Sequence, residues 1–346
     1  MEISDLRSRL GEGLVIPALP LALDNRRQWD QRHQRAIIRY YLDSGVGGIA
    51  VGVHSTQFEI REPEHGLFEP ILRFAVEEMN AWKTEKPSVK IAGICGETPQ
   101  AKGEAEFASA NGYDAGLLSM SVFQGADDNR MLAHCRAIAR EIPLIGFYLQ
   151  PAAGGRHLSY EFWRAFADIP EVIAIKIAPF NRYQTFDVVR AVCDSGRNDV
   201  ALYTGNDDNI IADLLTPWEV DGISRNIVGG LLGQSGVWTQ RAVELLEEIK
   251  GSRESQSLEP EWLTRNAELT DANAAVFDAA NGFAGVLPGI HEVLRRNGLM
   301  ANRLTLNPDD DLSPGQAEHL DRVEKAYPWI TDDAFVRDNL SRWLNS

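Results

Sequence analysis

Short apolar runs alternate with helical patterns from near the N-terminus to about residue 250. This alternation restricts the fold more than any other feature of the chain. The runs at 13–17, 48–53, 90–94, 115–119, 143–148, 172–176, 199–204 and 222–227 are mostly continuous in apolar side chains. Continuous runs are the pattern of strands covered on both faces, and so of a parallel sheet between helices. Amphipathic stretches at 32–44, 69–82, 100–111, 127–140, 159–168, 185–193, 208–215 and 237–249 separate and follow them. In the first, Ile37, Ile38, Tyr41 and Leu42 keep a helical period until Gly45 ends it. Pro70 stands just inside the second, where a helix needs no N–H. Eight such units in about 250 residues predict an α/β fold, the (β/α)8 TIM barrel. A doubly wound open sheet is the rival, but no glycine-rich dinucleotide turn follows the first run.

After Lys250 the pattern changes. A polar linker is expected at 251–257, then helices at 261–281, 290–297, 313–327 and 332–343. The predicted organisation is a barrel over 1–250 with a C-terminal helical appendage, 251–346, packed on it. Trp329 and Trp343 are expected as core or subunit-contact residues. A net charge of −16 argues against nucleic acid and membrane as partners, while local arginines can still hold a small anion. The three cysteines form no CxxC pair, so neither a disulfide framework nor a zinc site is expected, and a cytoplasmic location fits. The N-terminal residues lack the pattern of a signal peptide. No apolar run reaches the ~20 residues that span a bilayer.

One segment stands out chemically: Val172-Ile173-Ala174-Ile175-Lys176-Ile177-Ala178-Pro179-Phe180 places a single lysine inside an apolar run. Lysine is almost never buried without a partner or a task. Desolvation disfavours the ammonium form, and a neutral amine fixed in place is what Schiff-base chemistry on a carbonyl requires. The structural alternative is a buried stem whose head snorkels to a carboxylate.

In a (β/α)8 barrel the chemistry lies at the C-terminal strand ends, which turns the strand list into a list of candidate residues. Tyr148 ends the fifth run, where a phenol within reach of an imine could shuttle a proton; otherwise it is a core tyrosine. His54, Ser55 and Thr56 follow the second run and could bind substrate. Gly205 and Asn206 follow the seventh, with Gly205 allowing a close turn and Asp208 placed to cap the next helix. Arg225 near the eighth run could fix an anionic end of the substrate, or pair with Asp207 and Asp208 as a structural bridge. His54, Glu97 and Asp207 could make an oxygen-rich metal site, but no dedicated metal motif is present, so no metal is assigned.

At Tyr148, Lys176 and Gly205 the chain resembles the dihydrodipicolinate synthase / N-acetylneuraminate lyase family of class I aldolases and lyases. Tyr148-Leu149-Gln150-Pro151 looks like that family's tyrosine–x–x–proline segment, and Lys176 follows one β/α unit later. Gly45-Val46-Gly47-Gly48-Ile49-Ala50-Val51-Gly52 is similar to the second strand leading to the family's substrate-carboxylate loop. The resemblance implies that Lys176 forms an imine, that Tyr148 relays protons, and that no metal or organic cofactor is needed. It also implies a homo-oligomer, a dimer or tetramer.

The departures are specific. The family's glycine–threonine–threonine–glycine–glutamate loop reads Gly52-Val53-His54-Ser55-Thr56-Gln57. The arginine expected shortly after the proline is replaced by Ala152-Ala153, with Arg156 offset. Phe123 stands where many members carry a tyrosine reaching across a subunit interface. These changes point away from dihydrodipicolinate synthase itself. The resulting expectation is a Schiff-base lyase or aldolase acting on a small 2-oxo acid or related carbonyl compound. Alternatives are a Schiff-base dehydratase or decarboxylase of a sugar-acid-like 2-oxo acid, a metal-dependent barrel hydrolase or isomerase, and a non-catalytic metabolite-binding barrel.

Overall fold

A computed structural model of the protein describes residues 1–85, 87–151, 154–255 and 257–345. The fold is a (β/α)8 TIM barrel with C-terminal helices. Its strands are β1 (Val15–Pro17), β2 (Gly48–Val51), β3 (Val89–Ile94), β4 (Ala115–Ser119), β5 (Leu144–Leu149), β6 (Val172–Ala178) and β7 (Ala201–Thr204), then β8 (Trp218–Val220), β9 (Ile223–Arg225) and β10 (Ile227–Leu232). Among the described residues, no helix is long and apolar enough to cross a membrane. The chain divides into two compact units, Met1–Leu14 with Val89–Leu231, and Val15–Ser88 with Leu232–Ser346.

In the first unit β3 through β7 pair in sequence order, all parallel, and β10 pairs parallel with β7. The predicted last strand, 222–227, is a correction. Residues 218–225 form an antiparallel hairpin, β8–β9, and the barrel strand is β10. Asp221 (φ 47°) and Gly222 (φ 82°) make its two-residue turn, with both φ values positive as a primed hairpin turn requires. The true strand escaped notice because Gly229 and Gly230 interrupt its apolar run. Gly229 is obligatory there, since a Cβ would lie 2.4 Å from the Leu14 carbonyl oxygen. A helix at Ile3–Gly11, absent from the sequence expectation, lies at the N-terminal strand ends. Arg7 on it donates to the carbonyls of Pro170 and Val172, and Leu10 O accepts from the Tyr203 hydroxyl at 2.7 Å.

In the second unit the helix expected to stop at 249 runs on as Thr239–Arg253, so it takes up the start of the predicted linker. The later helices are Glu261–Val276, Val286–Arg296, Gln316–Ala326 and Asp333–Leu344. Buried Asp332 fastens this region: it accepts from Tyr40 Oη (2.7 Å) and Gln240 N (3.0 Å). Trp343 is fully buried with its indole N–H on Asp43, and Trp329 donates to Glu268 at 2.7 Å. Among the described residues no cysteine forms a disulfide.

Candidate active site

Lys176 is the fifth residue of β6, and the strand continues past it to Ala178 rather than ending at it. Its neighbours in register are Phe147 on β5 and Tyr203 on β7. Residues paired in parallel register share a face of the sheet, so these two rings flank the lysine. The small side chains Ala174 and Ala178 lie on the same face of β6, while Ile173, Ile175 and Ile177 take the other. Lys176 Nζ sits 4.4 Å from the centroid of the Phe147 ring, a cation–π geometry when the amine is charged. The side chain is 8 % exposed. Burial lowers its pKa to about 8, against the opposing pull of the Asp207 carboxylate. A substantial neutral fraction is therefore present near neutral pH, unlike an exposed lysine.

Gly205 permits this packing. A Cβ there would lie 2.8 Å from Lys176 Cε and 2.8 Å from Ala178 Cβ. Gly205 N donates to the Ile177 carbonyl at 2.7 Å, which holds the β7 loop against β6. Gly205 is thus a shaping residue for the lysine, through its missing side chain.

Tyr148 is brought to the other face. It pairs with Ile177, one position out of phase with the Phe147–Lys176 pair. Its ring packs 5.4 Å from Trp163, on the helix Tyr160–Ala167, and its hydroxyl accepts from Leu158 N at 3.2 Å. Gly146, two residues back on the same face, confirms the direction: a Cβ there would meet Phe166 and Trp163 of that helix. The structure thus sets Phe147, not Tyr148, beside the lysine. Burial, the larger effect, raises the Tyr148 pKa.

Asn206 is fully buried and its side chain is committed. Oδ1 accepts from Phe180 N (2.9 Å), and Nδ2 donates to Thr185 Oγ1 (3.2 Å) and Asp213 Oδ2 (2.9 Å). Phe180 has φ 53°, so Asn206 fixes a left-handed turn just after β6. Asp213, 0 % exposed, also accepts from Thr204 Oγ1 (2.7 Å), Asn209 Nδ2 (3.2 Å) and Arg182. This network ties together the loops that follow β6 and β7. Asn206 supports the site from behind. The expected Asp208 cap is not formed: Asn209 is the N-cap of the helix Ile210–Leu215, with no side-chain capping bond.

Arg225 lies at the far end. Its guanidinium donates to the carbonyls of Asn198 (3.1 Å) and Val200 (2.6 Å), just before β7 begins. The structure does not bring it to Lys176, because Arg225 precedes the barrel strand β10 and so stands at the N-terminal strand ends. Its expected bridge to Asp207 and Asp208 is likewise absent among the described residues; the ion pair to Asp208 comes from Arg182, at 3.9 Å.

Arg156 donates to the carbonyls of Phe123 and Ala126 and so braces the loop after β4. Phe123 is buried within its own chain, 4.6 Å from the His134 ring. Ala152 and Ala153 lie outside the described residues. Glu97 is exposed and pairs with Arg130 at 3.6 Å. Among the described residues, the one group of three close His, Cys or carboxylate ligand atoms is Glu62, Glu64 and His65, which no expectation named.

In the second unit, His54–Thr56 form a turn of 3-10 helix directly after β2. The Thr56 hydroxyl is fully occupied, donating to Leu19 O at 2.7 Å and accepting from Gly52 N at 2.9 Å. It shapes the loop. Ser55 is buried, and the half-buried His54 ring lies 6.0 Å from Phe58. Gln57, at φ 70°, anchors the loop by accepting from Leu306 N at 2.6 Å.

Comparison with known proteins agrees with this architecture. Residues 12–232 match the model of the Dihydrodipicolinate synthetase family. The chain is 26% identical over 185 residues to 4-hydroxy-tetrahydrodipicolinate synthase of Nitratidesulfovibrio vulgaris, a match covering 53% of this chain and 60% of that protein. It is 23% identical over 314 residues to N-acetylneuraminate lyase 2 of Escherichia coli, covering 90% of this chain and 92% of the relative. The crystal structure of dihydrodipicolinate synthase from Oceanobacillus iheyensis superposes with a TM-score of 0.72 at 19% identity, over 94% of this chain and 99% of that one. Several dihydrodipicolinate synthases and N-acetylneuraminate lyases thus share the fold at low identity, and the family model spans more than half of the sequence. The chain belongs to the dihydrodipicolinate synthetase family.

Proposed function

We propose that the chain is a Schiff-base-forming lyase or aldolase acting on a 2-oxo acid or related carbonyl compound, with Lys176 as the imine-forming residue. The observation that carries this reading is a buried lysine, its pKa lowered to about 8, in a member of this family. The neutral amine adds its lone pair to the carbonyl carbon, and the oxygen takes up a proton to give a carbinolamine. Water leaves as the nitrogen lone pair returns to form the iminium. When the bond between the α and β carbons breaks, its electron pair moves through the α carbon to the iminium nitrogen and leaves an enamine, while the β-hydroxyl loses its proton to solvent and that fragment departs as an aldehyde or ketone; condensation runs the same steps in reverse. The enamine carbon then takes a proton, and water releases the product and the lysine.

Two features favour this chemistry. The Phe147 ring face stabilises a positive nitrogen at Lys176, and the Asp207 carboxylate favours the same charge. Both act on the iminium, which stays cationic at pH values where the free amine is neutral. As the iminium forms, nitrogen loses one proton and the departing oxygen gains two, all exchanged with solvent, so no step is assigned to Tyr148, whose hydroxyl accepts from Leu158 N.

The test is reduction with borohydride in the presence of pyruvate and a panel of larger 2-oxo acids, followed by peptide mapping. A secondary amine adduct on Lys176, absent from Lys176→Met, is the expected result. Turnover of any of these acids without an adduct at Lys176 would overturn the reading. So would turnover that survives Lys176→Met but is lost on chelation, which would favour a metal-dependent hydrolase or isomerase.

A further inference from the structure

The N-terminal ends of β7 and β10 hold a cavity of about 440 Å³, lined by Arg7, Ser8, Asn198, Asp199, Ser224 and Arg225 among others. That volume lies within the range of small-molecule sites. It is separated from Lys176 by the length of β7, since Val200 precedes that strand and Gly205 follows it. At about 3.3 Å per residue the separation is roughly 15 Å.

The charges in this cavity do not balance. Arg225 is partly buried, and its partners are main-chain carbonyls and the Asn198 side-chain oxygen (3.4 Å). Among the described residues it makes no ion pair with a carboxylate. Burial lowers its pKa, yet a guanidinium cannot give up its proton near neutrality as a lysine can. Arg7 Nε reaches Asp199 at 3.0 Å. That carboxylate is already held by both Nε and an Nη of Arg197, each at 2.8 Å, an arrangement that keeps its pKa below the usual range. Asp199 is thus the one carboxylate that faces Arg7, Arg197 and Arg225 together, while Asp168 and Glu171 act on Arg197. A guanidinium taken part of the way out of water is ordinarily paired.

We propose that this cavity binds a small oxyanion, a carboxylate or phosphate group placed between Arg225 and Arg7. The anion supplies the missing charge, and Ser8, Ser224 and Asn198 supply hydrogen-bonding groups to the rest of the ligand. The competing account is that Arg225 only clips the β8–β9 hairpin to the strand ends. That account explains the carbonyl bonds but leaves an open polar cavity beside a guanidinium that no carboxylate pairs among the described residues.

The experiment is calorimetric titration of the full chain with inorganic phosphate and, separately, with succinate, at ionic strength held constant with sodium chloride. Saturable binding of at least one anion is expected, with a rise in melting temperature that chloride does not reproduce. Tighter phosphate binding marks a phosphate-bearing ligand and tighter succinate binding a carboxylic acid. Arg225→Gln should weaken binding by about tenfold or more, and Arg225→Lys, which keeps the charge but loses the planar fork, by a smaller factor. Lys176→Met should leave it unchanged. The proposal fails if neither anion binds saturably in the millimolar range, or if Arg225→Gln binds as the parent does. It also fails if Lys176→Met abolishes binding, which would place the anion beside the imine lysine. Should Arg225→Gln not fold, Arg225→Lys and Arg7→Gln decide, and unchanged affinity in both overturns the site.

Discussion

Lys176 is a buried base and Arg225 a partly buried one in the same compact unit, and their surroundings treat them in opposite ways. Around Lys176 stand a phenyl ring, small alanines and a glycine backbone. Around Arg225 stand carbonyl oxygens and amide groups. The lysine answers burial by giving up its proton more easily, which frees the lone pair that the proposed imine chemistry uses. The arginine cannot, so it must be satisfied by acceptors, and it makes a permanent anchor for negative charge. On the two proposals, desolvation favours reactivity at Lys176 and anion binding at Arg225, because the two side chains differ in basicity.

The sharpest way to break this contrast is Lys176→Met. Turnover should fall by roughly four orders of magnitude or more, measured as initial rate on whichever 2-oxo acid forms the borohydride adduct. In the parent, kcat/KM should rise as pH increases through about 8, because the neutral amine is the attacking form. The same substitution should stabilise the fold. The folded pKa of Lys176 lies below the unfolded value near 10.4, so between about 8 and 10.4 the unfolded chain binds more protons and stability rises with pH. Below about 8 the burden is constant, on the order of 3 kcal/mol. Chemical denaturation of Lys176→Met should therefore show greater stability than the parent at pH 7 and no limb between pH 8 and 10. An unchanged stability would mean that the lysine is better compensated than its surroundings suggest.

The next effect concerns the support behind the site. Asp213→Ala removes a buried acceptor shared by Arg182, Thr204, Asn206 and Asn209, and should cost about 3–5 kcal/mol in urea unfolding. Gly205→Ala pushes a methyl group against the Lys176 stem and should lower kcat by about 100-fold, with the fold intact by circular dichroism. The smallest change sharpens the comparison most. Tyr148→Phe should cost about 1 kcal/mol of stability for the lost bond from Leu158, with kcat/KM held within about threefold. A loss of several orders of magnitude would put the phenol back beside the lysine.

Much of the architecture was legible because it is written in local pattern. Strands β3 to β7 announced themselves as apolar runs, and Lys176 was conspicuous by contrast with its neighbours. The last barrel strand was not legible, because Gly229 and Gly230 dilute it, although Asp221-Gly222 carried a hairpin signal that could have been used. Phe147 was missed for a different reason. Periodicity shows that residues 147 and 148 face opposite ways, but it cannot say which one faces the lysine. Thr56, Asn206 and Arg225 were polar residues near expected strand ends, and only their partners reveal whether they face a ligand or brace the scaffold.

By itself the sequence determined the barrel pattern, the family and the one lysine placed where a cation is costly, since each depends on residue type and spacing along the chain. The tertiary structure alone decided which side chains meet that lysine, that Asn206 is spent on the scaffold, and that Arg225 stands at the opposite strand end. Those are facts of register and strand length. A shift of one residue exchanges the two faces of a strand, and a last barrel strand that begins at Ile227 leaves Arg225 before its start and not at its end.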